Sequence, residues 1–171
     1  MNGERKSERI IERVRKRREE AGSVDVDEER VKLVIFTLAG RYYAFPGAEI
    51  REILPFMKIA CVPGASDAIL GIINVRGDIE SVLSGRRVLG LPDCEPASGN
   101  RIMIAESGGA RSGILVDSVE DVSDFPSGSI HPSISTLDSS IKDYVTGETV
   151  YNGKTTMVLS VAKVFEGMIP G

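Results

Sequence analysis

Val31-Lys32-Leu33-Val34-Ile35-Phe36-Thr37-Leu38-Ala39 is apolar on both alternating faces, with Lys32 and Thr37 as its only polar side chains. A strand that hides one face alternates apolar with polar residues, whereas a strand buried on both faces reads as a continuous apolar run. The stretch therefore predicts a strand inside a closed or sandwiched sheet and marks where the core begins. Gly40-Arg41 supplies a short turn into Tyr42-Tyr43-Ala44-Phe45, and Pro46 ends the hairpin this makes.

The same style recurs toward the carboxyl end. Residues 72–75, 79–83, 101–106, 113–116 and 119–122 carry short strand signals, with Arg76-Gly77 and Gly108-Gly109 as turns. Asn152-Gly153, between 146–151 and 154–159, is a strong hairpin signal because both residues tolerate the positive φ of a tight turn. Residues 47–54 scatter Ala48, Ile50, Ile53 and Leu54 among charges and predict a short helix or irregular turn. Val62-Pro63-Gly64 predicts a turn, Ser66 or Asp67 the cap of a brief helix through Leu70, 85–100 a loop region, and 161–165 a helical turn. Strands spaced at roughly 8 to 12 residues with turns between them indicate a mostly-β barrel or sandwich and not βαβ units.

Outward in the other direction, residues 4–21 predict a helix, with Ile10, Val14 and Ala21 near one face. Between Glu4 and Arg18 stand eight basic residues against three acidic ones. Two readings are open: a basic amphipathic helix on an anionic surface, or a solvated tail whose few apolar groups bury too little to offset ordering it. Residues 22–30 read as an acidic linker.

Composition narrows the function classes. A chain of 171 residues with 42% hydrophobic and 27% charged residues can bury a core of its own, and 18 glycines suit many tight turns. The net charge of −4 argues against a nucleic-acid partner, which requires a basic face. Cys61 and Cys94 lack CxxC spacing and His131 is the only histidine, so the sequence predicts free thiols, no metal and no cofactor. No run of 18 apolar residues occurs, which predicts a cytoplasmic chain with no integral membrane segment.

A catalytic triad needs a nucleophile beside a histidine, yet His131 sits between Ile130 and Pro132 at a predicted turn. Asp117, Glu120 and Asp121 alternate with valines and predict the solvated edge of a strand, and Gly108-Gly109 is not followed by a phosphate-loop Gly-Lys. No catalytic residue is predicted. Arg76-Gly77-Asp78 puts an arginine at a sharp turn, where its multi-donor head either pins its own loop through backbone carbonyls or is offered to a partner's carboxylate.

Six segments in order resemble the CheW-like family of bacterial chemotaxis coupling proteins: residues 36–44, 50–53, 62–64, 71–77 (Gly-Ile-Ile-Asn-Val-Arg-Gly), 86–92 and 113–117. Each is weak alone, and the ordered set is specific. The resemblance covers about four-fifths of the chain and divides it into an extension over 1–30, a CheW-like domain over 31–167 and a tail over 168–171. It implies two small five-stranded SH3-like barrels related by a pseudo-twofold axis, and no enzymatic activity. It also implies an adaptor joining the cytoplasmic tip of methyl-accepting chemoreceptors to the regulatory domain of a CheA-type histidine kinase, at membrane-associated arrays.

In such proteins a groove between the barrels receives the receptor's helical hairpin. The matching positions are Ile50, Gly71, Val119 and Val122 for the apolar surface, Glu52 and Arg76 for the charges, and Gly77 and Gly113 for backbone geometry that lets strands turn tightly. Kinase-contact residues are not assignable from the sequence. The chain departs from its relatives at 78–85, where Glu80 must face water or find a partner and Ser84 and Ser160 stand at corresponding places in the two lobes. The alternative function is a divergent scaffold in a non-motility or receptor-independent pathway, using its basic amino-terminal helix on another protein or a membrane.

Overall fold

A computed structural model describes residues 29–133 and 139–167, together with Ile10 and Arg13. The predicted helix over 4–21, the linker that follows it and the tail lie outside the described residues, apart from Ile10 and Arg13, which are helical. By its contacts the chain divides into two units, 1–30 and 31–171.

The larger unit holds two five-stranded sheets. Its strands are β1 (Arg30–Leu38), β2 (Arg41–Pro46), β3 (Ile50–Pro55), β4 (Ile69–Val75), β5 (Asp78–Ser84), β6 (Arg101–Ser107), β7 (Ala110–Val116), β8 (Ser118–Pro126), β9 (Val145–Tyr151) and β10 (Lys154–Leu159). Among the described residues it also holds three short α-helices, α1 (Gly85–Val88), α2 (Ser139–Lys142) and α3 (Val161–Glu166). One sheet runs β3-β6-β7-β5-β4 and uses a contiguous stretch of chain, while the other runs β8-β1-β2-β10-β9 and draws on both sides of it. We call them the contiguous and the composite lobe.

The lobes repeat one plan. Each is built from two antiparallel hairpins joined by a parallel contact, β5 with β7 in one and β10 with β2 in the other. Val82 lies opposite Gly113 as Val158 lies opposite Ala44, and the β4–β5 and β9–β10 hairpins have a register break at the same place, before Gly71 and before Gly147. A segment after the outer strand pairs back in both: Ala60 bridges Ile72, and His131 bridges Glu148. Ser84 and Ser160 each cap a following helix, accepting at 3.2 Å from the N–H of Arg87 and of Lys163. Their shared identity is thereby explained, since a serine oxygen satisfies a donor at the start of a helical turn.

β1 is buried on both faces, as its continuous apolar run requires. Leu33 and Ile35 enter the interior of the composite lobe with Ala44, Phe125 and Val158. Val34, Phe36 and Leu38 face the other way into a core between the lobes, with Tyr43, Phe45, Met103, Ile114 and Leu159. β6 does the same, sending Ile102 and Ile104 into the contiguous lobe and Met103 and Ala105 into the shared core. Each such fully buried aliphatic or aromatic side chain contributes about 1.5–3 kcal/mol.

Four expectations are corrected. Residues 47–49 form a single 3-10 turn, but 50–55 are a strand, because their apolar residues meet β6 with Ile53 opposite Met103 and Leu54 opposite Ile102. No helix spans Ser66 to Leu70, since Ile69 and Leu70 already belong to β4. Within the predicted loop over 85–100, residues 85–88 form α1. Gly113 turns nothing: it lies in mid-strand, where an added Cβ would come within 2.9 Å of Ile102 Cγ2. β5 runs unbroken through Ser84 because Glu80, nearly buried, is paired at 2.8 Å with Arg111 on the adjacent β7.

Candidate binding surface

Arg76 and Gly77 form the tip of the β4–β5 hairpin, both with positive φ, +52 and +92. The equivalent tip in the composite lobe is Asn152-Gly153, with φ +48 and +75. Asparagine adopts this left-handed conformation readily and arginine does not, so Arg76 holds a backbone state that asparagine would hold with less strain. Asn74 Oδ1 accepts from the Gly77 N–H at 2.8 Å and fixes the turn.

Among the described residues the exposed guanidinium bonds to a side chain and not to a backbone carbonyl. Its two terminal nitrogens donate to the two oxygens of Glu52, at 2.7 and 2.6 Å, in the planar two-point geometry that arginine and a carboxylate share. Glu52 is on β3 and Arg76 follows β4, the two outer strands of the five-stranded order, so the contact shows the sheet curling until its edges meet. The hydrogen bonds from Arg76 hold the Glu52 carboxyl below the usual carboxylate range, and the nearby charge of Arg111 acts in the same direction. The pair remains exposed, with Arg76 presenting about two-thirds of its side chain to solvent. Arg51 and Glu106, 3.0 Å apart, add a second pair on the adjoining strands.

The composite lobe closes in the same manner, with different chemistry. Tyr151, at the end of β9, donates its hydroxyl to Asp121 on β8 at 3.0 Å. Ile50-Arg51-Glu52-Ile53 and Val119-Glu120-Asp121-Val122 thus occupy matching places on the outer strands of the two lobes. Ile50 and Val119 are half-buried and both lean on the core between the lobes. Val122 is 43% exposed, and so is its counterpart Ile53 at 37%. Sequence reasoning missed Ile53 and Asp121 because 47–54 did not read as a strand; once it does, the internal match finds both.

Of the predicted site residues, Glu52, Arg76 and Gly77 therefore meet at one hairpin tip, and Ile50 stands two positions before Glu52 on the same strand. Val119 and Val122 are on the other lobe. Gly71 is buried: an added Cβ would stand 2.1 Å from the Ala60 carbonyl oxygen, so the glycine lets residue 60 pair with β4. Among the described residues no group of three His, Cys, Asp or Glu is placed to hold a metal ion, no helix is long and apolar enough to cross a membrane, and Cys61 and Cys94 are exposed free thiols.

Asp117 is not a solvated edge. Arg86 donates to both its oxygens, at 2.9 and 2.5 Å, and the Ala39 N–H donates to it at 2.9 Å. Burial works to raise its pKa, but the Arg86 hydrogen bonds, the Ala39 N–H and the Arg86 charge outweigh that and hold it below the usual carboxylate range.

Such an arrangement defines a class: a two-lobed, mostly-β protein with exposed ion pairs beside apolar strand edges. Residues 32–167 match the CheW-like domain, and the chain belongs to the CheW-like family. It is 33% identical over 91 residues to the chemotaxis protein CheW of Bacillus subtilis, covering 53% of this chain and 58% of that protein. It is 25% identical to the chemotaxis protein CheW of Helicobacter pylori, over 89% of this chain and 92% of that one. The crystal structure of the scaffolding protein TtCheW from Thermoanaerobacter tengcongensis superposes with a TM-score of 0.72 at 28% identity, covering 81% of this chain and 94% of that chain.

Proposed function

We propose that this protein is a non-enzymatic adaptor that couples the cytoplasmic tips of chemoreceptors to the regulatory domain of a CheA-type histidine kinase. The working part is 31–167, with 1–30 as an extension and 168–171 as a tail, and the protein is cytoplasmic, gathered at membrane-associated receptor arrays. The observation that carries this reading is the state of Arg76. It holds a left-handed backbone that its counterpart Asn152 would hold more easily, while its side chain stands exposed and pre-oriented by Glu52. Backbone strain kept at an exposed residue supports selection for that side chain rather than for the turn.

On this reading the receptor's helical hairpin lies between the lobes. Ile50, Val119 and Val122 supply apolar contacts and Arg76 with Glu52 supplies the charged contact. Gly77 allows the tip its shape and Gly71 holds the backbone beneath it. Exposed Ile79 and Val150, 61% and 60% accessible on the β4–β5 and β9–β10 hairpins, are apolar surface suited to the kinase.

The test is Arg76→Glu. Capture of a receptor signalling-tip fragment and stimulation of the kinase by receptors should fall by about tenfold or more, since reversing a central charge costs a few kcal/mol of complementarity. Circular dichroism and the unfolding midpoint should stay close to the parent's. Unchanged capture and stimulation by a folded variant would remove Arg76 from the interface.

A further inference from the structure

The chain passes from the contiguous to the composite lobe through one residue, Asp117, between the end of β7 and the start of β8. Every polar group of that residue is engaged. Its N–H donates to the Thr37 carbonyl at 3.0 Å, its carboxylate accepts from the Ala39 N–H and from Arg86, and its carbonyl accepts from Asn100 at 3.3 Å. Arg86 belongs to α1 of the contiguous lobe, whereas Thr37 and Ala39 belong to β1 and its turn in the composite lobe. Asp117 is therefore the point at which both lobes hold one side chain. Within the composite lobe, the next residue, Ser118, shares a hydroxyl hydrogen bond of 2.5 Å with Thr37.

The repeated plan of the lobes shows that this arrangement is not needed to make a crossing. In the other half of the repeat, the positions corresponding to Asp117 and Arg86 are Ala48 and Ala162. That crossing, from β2 to β3, passes through the 3-10 turn Gly47–Glu49, and no side-chain hydrogen bond caps it. A partly desolvated ion pair is a costly way to join two strands unless its geometry is wanted.

We propose that Arg86 and Asp117 are positioning residues for the groove between the lobes. By locking the one-residue crossing they fix where β8 begins, and with it where Val119 and Val122 stand relative to Ile50 and Arg76. Neither residue need touch the partner. The inference rests on the reading that the groove receives the receptor tip.

The test separates the two. In the protein with Cys61→Ser and Cys94→Ser, spin labels are placed at Ala110→Cys in the contiguous lobe and Thr155→Cys in the composite lobe, and pulsed electron resonance measures the distance without any partner. Asp117→Asn, which keeps an acceptor for Ala39, and Arg86→Gln should each broaden or shift the distribution and weaken capture of the receptor-tip fragment by about tenfold. The double variant should be no worse than either single one, and Arg86→Lys should fall between parent and Arg86→Gln. An unchanged distance distribution in the folded single variants overturns the inference, whether or not capture changes. A changed distribution with parental capture overturns it equally, because the groove would then not depend on the lock. If the parent itself fails to capture the fragment, the adaptor reading falls, while the distances still decide whether Asp117 sets the lobes.

Discussion

Gly71 and Gly77 sit six residues apart on one hairpin and are needed for different reasons. Gly77 has open space where a side chain would stand and is held to glycine by its φ of +92 alone. Gly71, with φ +153, is held by both backbone and neighbour, because an added Cβ would lie 2.1 Å from the oxygen and 2.7 Å from the carbon of the Ala60 carbonyl. Backbone atoms paired in a ladder cannot rotate aside as the end of a side chain can. Gly71→Ala should therefore cost at least about 2 kcal/mol in urea unfolding, as a clash and a strained backbone combine. Gly147, its counterpart, faces the His131 oxygen at the longer distance of 2.9 Å, and Gly147→Ala should cost less. The reverse order would show that the Ala60 bridge yields easily and that Gly71 is required for something else.

At the scale of elements, the repeated strand, serine and short helix makes a paired prediction. Ser84→Ala and Ser160→Ala each remove a side-chain acceptor from the first turn of a helix and should each lower stability by about 1 kcal/mol. Ser160→Asp should retain most of what Ser160→Ala loses. Thermal or urea unfolding checks all three, and an alanine pair without cost would make the caps incidental. Elements of this kind also show what could be read from the sequence. β1 was legible because burial on both faces leaves a continuous apolar run, and the hairpins over 101–116 and 145–159 because Gly108-Gly109 and Asn152-Gly153 punctuate them. β3 was not, because Ile50 and Ile53 stand three apart around two charges, which imitates a helix face. The imitation arises from the register break between Ile50 and Glu52, which shifts the alternation by one. The site was legible only in part for a related reason. Arg76 stood out as an arginine in a turn, but its partner Glu52 lies across the whole width of the sheet, and only the curl of five strands brings them together. Asp117 was misread because Arg86, 31 residues earlier, leaves no local trace of the pair.

At the scale of the whole molecule, the crossing at Asp117 is held by an ion pair and the crossing through Gly47–Glu49 has no side-chain cap, and this gives the stability a defined pH dependence. Asp117 titrates lower in the folded protein than in the unfolded chain, where a free aspartate has a pKa of about 3.9. The unfolded state therefore binds more protons in this range, and stability falls as the pH is lowered. The contribution is fully present above the unfolded value and is lost as the pH drops from about 4 through the lower folded pKa. Asp117→Asn removes that titration while keeping the shape of the side chain. The variant should be less stable than the parent at pH 7, and the difference should shrink as both are taken to about pH 3. Urea unfolding at a series of pH values measures this directly. A gap that stays constant down to pH 3 would mean that the charge of Asp117 does not hold the lobes, and that the Ala39 N–H and the shared apolar core join them unaided.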